Sequence, residues 1–219
     1  YLPHSMPHIP LYVPDEVRDP DPKNAYINTI EHIDAEVGRL LDALDELKLT
    51  ENTFVIYTTD NGPWLSFKHH GGSAGPLREG KGTTFEGGQR VPCLIRGPGI
   101  PAGTVCDELT GTIDVLPTIA AITGTSLPEG KKVDGLDTSG LWMGTDKKSP
   151  RDEFVHYTSR GDLEGIRKGN WKLLVKKQRP PRKQKGKPAA AAKPPQLFLF
   201  DLGKDIGEQQ NVADQHPEV

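Results

Sequence analysis

The chain has 219 residues, 34% of them apolar and 26% charged, with a formal net charge of -3; this is enough apolar material for one sizeable core. No stretch approaches the roughly 18 consecutive apolar residues of a bilayer-crossing helix, and two cysteines, Cys93 and Cys106, make no disulfide scaffold. The 24 Gly and 20 Pro argue against a helical bundle and for a loop-rich chain of the kind enzymes use.

The opening string YLPHSMPHIPLYVPDEV has no secretory-signal pattern and reads as the middle of a larger protein. Its prolines impose an extended or turning backbone, which puts His4 and His8 on a loop or strand end. Over residues 24–47, Ile27, Ile30, Ile33, Val37, Leu40, Leu41, Leu44 and Leu47 recur at three- and four-residue steps and predict a long amphipathic helix. The β-branched and aromatic run 53–59 then predicts a buried, parallel strand of an α/β layer, ending at Asp60-Asn61-Gly62-Pro63. Ligands of open α/β sheets bind at that edge.

Residues 64–90 are Gly-rich and aperiodic, a functional loop. A second strand, 91–96, carries Cys93 as an inert core thiol. A helix follows over 114–122, with Asp114 as its cap and Gly124 as its stop. Short runs at 154–158, 165–167, 171–175 and 197–201 predict a small antiparallel sheet. The fold class is therefore α/β, with residues 1–147 in the main layer and 148–219 in an antiparallel α+β subdomain. A basic Pro/Ala-rich insertion at about 176–195, with eight Lys and Arg and no acid from 176 to 193, reads as a mobile loop.

Four positions carry candidate chemistry. Asp60 and Asn61 offer oxygens that suit Ca²⁺ or Mg²⁺, although two ligands are too few for either ion and the same residues make a good turn. Lys81, in GKGTTFEGG, is a point charge for an oxyanion on a loop whose glycines let the backbone approach it, and it is equally readable as a solvated lysine. The string is no nucleotide P-loop, because no strand leads into it. His8 is a candidate general acid or hydrogen-bond donor. Adjacent His69 and His70 lack the spaced partners of a zinc site, and no Ser/His/Asp order or Gly-x-Ser-x-Gly suggests a hydrolase triad.

Taken in order, PHSMPHIPLYVP, LLDALDELKL, TFVIYTTDNGPW, GGSAGPLREGKGTTFEGGQRVPCLIRGPG, IDVLPTIAAITG, VDGLDTSGLWMG, GIRKGNWKLL and LFLFDLGKDIGEQQNVA resemble the formylglycine-dependent sulfatases, the arylsulfatase-like group of the alkaline phosphatase superfamily. The resemblance implies a partial alkaline-phosphatase-like sandwich and hydrolysis of a sulfate ester to an alcohol and inorganic sulfate. It implies Asp60 and Asn61 as ligands of Ca²⁺, with Mg²⁺ the lesser candidate, Lys81 on the sulfate, His8 beside the leaving-group oxygen, and His4 and His70 as substrate neighbours. Trp64, His69 and Arg78 would line the same pocket. In the implied mechanism a hydrated formylglycine attacks sulfur while the cation and Lys81 neutralise the sulfate oxygens.

No Cys/Ser-x-Pro-x-Arg motif is present: neither Cys93 nor Cys106 fits, so the chain resembles the carboxyl-terminal half of such an enzyme. The expectation is that the polypeptide alone hydrolyses no aryl sulfate and binds Ca²⁺ poorly. The implied partner is a sulfated small molecule or carbohydrate, with no nucleic acid and no membrane, and the implied location is periplasmic or secreted. Two alternatives compete: a phosphomonoesterase or phosphonate ester hydrolase of the same superfamily, and a non-catalytic polyanion-binding module built on the basic insertion.

Overall fold

The computed structural model describes residues 1–176 and 194–219; most of the basic insertion lies outside them. The expected long helix is α1 (Ala25–Glu46). Its apolar spacing produces the helix, yet Thr29 and Ile33 are its only buried residues, while Ile27 and Leu40 are exposed. A 3-10 turn returns the chain into β1 (Val55–Thr58), which pairs with β2 (Cys93–Arg96). Between them lie 3-10 turns over Leu65–His70 and the single-turn helix α2 (Glu86–Gln89).

The pairing corrects one expectation. β1 and β2 are antiparallel, with Val55 opposite Arg96 and Thr58 opposite Cys93, and β1 is only half-buried. A run of apolar residues does not by itself distinguish parallel from antiparallel neighbours. Cys93 consequently sits at the exposed end of a two-stranded ladder, not in a core. Partial burial still pushes its thiol pKa up.

α3 (Val115–Thr123) ends at Gly124, whose φ of +66° is the left-handed conformation that closes helices, as expected. Asp114 does not cap α3. Its carboxylate faces back, accepting the Gly111 N–H at 2.8 Å, the Leu136 N–H at 2.8 Å and the Arg151 Nε–H at 2.9 Å. It thereby joins the start of α3 to the segment before the next helix, α4 (Ser139–Trp142), and to the approach to the second sheet.

That sheet is four antiparallel strands in sequence order: β3 (Glu153–Tyr157), β4 (Leu163–Lys168), β5 (Trp171–Lys176) and β6 (Gln196–Asp201). The β4–β5 turn is closed by Gly169 at φ +57°. Along β5, Lys172 and Leu174 share one face and are both fully buried. The apolar cluster of Phe85, Leu174, Phe200 and Leu202 lies on this face, so the sheet packs directly onto the loop that carries Lys81. Lys176, counted at the head of the basic run, ends β5 and is committed to Glu164 at 2.8 Å. Among the described residues no helix is long and apolar enough to cross a membrane.

His156, on β3, is 3% exposed, and neither ring nitrogen has a hydrogen-bond partner among the described residues. Burial, then the Lys172 cation, lowers its pKa to about 4; Glu86 opposes the shift, while Arg167 and Lys176 add to it. The folded state therefore keeps the ring neutral while the unfolded chain protonates near 6.5. Stability is present above pH 6.5 and is lost as pH falls toward 4, by up to roughly 3 kcal/mol. His156→Phe is expected to lose less melting temperature between pH 7 and pH 4.5 than the parent chain. Equal losses in the two proteins would contradict this account.

Candidate active site

The site is assembled from two neighbouring segments. The 60–64 turn leaves β1, and the 78–88 loop returns beside it: the Lys81 N–H donates to the Pro63 carbonyl at 2.9 Å, and the Gly62 N–H to the Gly88 carbonyl at 3.3 Å. The approach is possible only without side chains, since a Cβ on Gly62 would collide with the Gly87 carbonyl, and one on Gly80 with that of Pro63. The glycines expected to let backbone approach a ligand here let two backbones approach each other.

Trp64 forms the centre of the site. The Lys81 Nζ lies 5.0 Å from its ring centroid, a cation–π contact, and the His8 ring lies 5.6 Å from it. Phe67 braces Trp64 edge-on at 4.6 Å. His8 is exposed, and its Nδ1–H donates to the Ile9 carbonyl at 2.7 Å, which leaves Nε2 as the available nitrogen. An ammonium and an imidazole thus share one aromatic ring, on the segment that follows Asp60 and Asn61.

Asp60 is exposed and accepts a long bond of 3.4 Å from Thr59; Asn61 is half-buried. Their oxygens fit two places in a hard-cation shell, which needs six or more donors. Among the described residues no group of three or more His, Cys, Asp or Glu side chains could hold an ion, so the pair does not complete a site with them. The remaining expected residues are placed elsewhere. His4 is exposed in the opening segment, and the His70 ring is bonded to the Pro22 carbonyl at 3.1 Å. Arg78, expected in the pocket, donates to the Glu208 carbonyl at 2.7 Å and lies over the Phe85 ring at 4.1 Å.

Two further residues, Lys172 and Glu208, escape a reading of the sequence, whereas Glu86 stands among the charged residues that mark the 64–90 loop as functional. Lys172 donates to Glu86 at 2.8 Å and forms an ion pair with Glu208 at 3.0 Å, and all three are buried. The available signal was Lys172, a charged residue in step with Leu174 inside the apolar run of its strand.

Residues 1–125 match the protein-family model described as Sulfatase. Arylsulfatase A of Bos taurus is 40% identical over 204 residues, covering 88% of this chain and 39% of that protein. A solved structure described under the metabolism of multiple glycosaminoglycans by Bacteroides thetaiotaomicron superposes with a TM-score of 0.80 at 28% identity, covering 97% of this chain and 46% of that one. Ps i-CgsB, solved in complex with a neocarrahexaose, superposes with a TM-score of 0.74 at 27% identity, covering 97% and 45%. The chain therefore spans less than half the length of these relatives. With a family model covering more than half of its residues, and sulfatase structures matching its α/β architecture almost end to end, this chain belongs to the sulfatase family.

Proposed function

We propose that this chain forms the anion-binding and proton-donating side of an active site that hydrolyses a sulfate ester to an alcohol and inorganic sulfate. The observation that carries the reading is the Lys81 ammonium and the His8 ring meeting on Trp64, directly after the Asp60-Asn61 turn. Family membership implies a metal ion and a formylglycine in general; neither Cys93 nor Cys106 lies in a Cys/Ser-x-Pro-x-Arg string.

In this reading Lys81 donates from Nζ to the sulfate oxygens, and His8, as the doubly protonated ring with its Nδ1–H on the Ile9 carbonyl, delivers a proton from Nε2 to the departing alcohol oxygen. The Asp60 carboxylate and the Asn61 amide oxygen would supply two ligands to Ca²⁺, which when bound would neutralise charge on the sulfate. Trp64 holds both the ammonium and the imidazole in contact with its ring. In this reading His4 and His70 act only as outlying substrate neighbours, His70 from its bond to the Pro22 carbonyl. The substrate class is a sulfated small molecule or carbohydrate, supported by the neocarrahexaose bound to Ps i-CgsB. A periplasmic or secreted location goes with such substrates.

The phosphomonoesterase and phosphonate hydrolase readings would use the same cation and lysine, so substrate comparison separates them. The full-length protein, assayed with 4-nitrocatechol sulfate, 4-nitrophenyl phosphate and a phenylphosphonate ester, is expected to favour the sulfate in kcat/KM. A preference for either phosphorus ester would overturn the assignment.

A further inference from the structure

The Lys81 loop is gripped from behind. Its base is closed by the Gly87 N–H donating to the Arg78 carbonyl at 2.9 Å, and Phe85 is seated in the apolar cluster on the second sheet. Beside Phe85, Glu86 is 3% exposed and meets the fully buried Lys172 of β5 at 2.8 Å. Lys172 also lies 3.0 Å from Oε1 of the fully buried Glu208, beyond β6. The other Glu208 oxygen accepts the main-chain N–H of Glu86 at 2.6 Å. Arg167 stands 3.6 Å from Glu86, so two acids face two cations in the cluster. Arg78 ties the other arm of the loop to the Glu208 carbonyl.

Stability alone does not account for this arrangement. Desolvating four charges costs as much as their attraction returns, and apolar replacements of buried ion clusters are often neutral or better. The neighbouring aromatic cluster already supplies non-directional cohesion. Glu208 moreover holds φ at +51°, a left-handed conformation that a non-glycine residue adopts only when its surroundings impose it. What the cluster adds is direction. It holds Glu86 by side chain and main chain together, five residues from Lys81, whose own N–H is fixed to Pro63.

We propose that Glu86, Lys172 and Glu208 form a latch through which the second sheet sets the position of Lys81, making Lys172 and Glu208 positioning residues for the anion site. The inference rests on the reading of Lys81 as the anion-binding residue. Across the latch, small shifts of β5 or β6 reach the loop as shifts of Lys81, and misplacing a catalytic group by about 1 Å costs up to roughly a hundredfold.

The test is a mutant cycle on the full-length protein, read as affinity for inorganic sulfate by calorimetry alongside melting temperature. Its arms are Lys81→Ala, the charge-balanced pair Lys172→Met with Glu208→Leu, and all three together. The pair leaves Glu86 with Arg167, so no lone ion is buried. The expected result is a roughly ten- to hundredfold loss of sulfate affinity in the pair variant, at a melting temperature lowered only by the orphaned Glu86 N–H, with the triple variant losing no more affinity than Lys81→Ala alone. Parental affinity in the pair variant, or losses that multiply, would overturn the latch. Parental affinity in Lys81→Ala would instead overturn the reading of Lys81, and the latch with it. Should the pair variant fail to fold, Glu208→Gln carries the test: it keeps an acceptor for the Glu86 N–H, a severalfold loss is expected, and unchanged affinity would refute the proposal.

Discussion

Replacing Lys81 by alanine is expected to lower kcat/KM for an aryl sulfate by about 10²–10³-fold in the full-length protein, the usual cost of removing one preorganised donor from a developing oxyanion. The loss should fall mainly on kcat, because charge on the sulfate oxygens changes as the ester bond breaks. Lys81→Arg is expected to restore little. A planar guanidinium would stack on Trp64, whereas the ammonium offers a compact charge 5.0 Å from that ring. Near-parental turnover in the alanine variant would remove Lys81 from the chemistry.

Asp114→Ala is expected to destabilise the chain by about 3–5 kcal/mol, the size of loss seen when one partner of a buried ion pair is removed. Asp114 is 1% exposed, and its carboxylate accepts from Gly111, Leu136 and Arg151. Alanine would leave two backbone N–H groups without their acceptor and the largely buried Arg151 side chain without its counter-ion. Burial alone would push the Asp114 pKa up, but the Arg151 guanidinium and the two N–H donors outweigh it and hold the carboxyl below its ordinary value. The ion pair's contribution is therefore present above the ordinary carboxylate range and disappears as pH falls through the lowered pKa. Urea unfolding at pH 7 measures the effect; a difference below about 1 kcal/mol would contradict the role assigned to Asp114.

Local pattern was legible wherever one residue's neighbours in sequence decide its structure. The three- and four-residue spacing from Ile27 to Leu47 yields α1, and the Lys168-Gly169-Asn170 turn yields the β4–β5 hairpin. Features decided by distant residues were not legible. β1 met an antiparallel partner 38 residues on from its first residue, because nothing in Val55–Thr58 encodes the direction of β2. Asp114 occupies a helix start, where its type ordinarily caps, but the arrival of Arg151 from 37 residues away turned it elsewhere. Arg78, read as a pocket residue, was drawn to Glu208 across 130 residues.

The candidate site divides along the same line. Asp60, Asn61, His8 and Lys81 each have a residue chemistry that can be stated from sequence, but each alone is matched by an ordinary turn or surface residue. Only the ordered set of motifs gave them roles. Trp64 became central because the bond of the Lys81 N–H to the Pro63 carbonyl brings the 78–88 loop beside it, with Nζ 5.0 Å from its ring. Lys172 and Glu208 had no local signature beyond a charge in an apolar strand and a glutamate in a polar tail.

A crystal structure of the full-length protein with calcium and inorganic sulfate tests the central claim most directly. The account predicts a sulfate oxygen within hydrogen-bond reach of the Lys81 Nζ, His8 Nε2 facing the side from which the alcohol leaves, and the cation on the oxygens of Asp60 and Asn61. A sulfate bound away from Lys81, or a cation that ignores the Asp60-Asn61 turn, would contradict it.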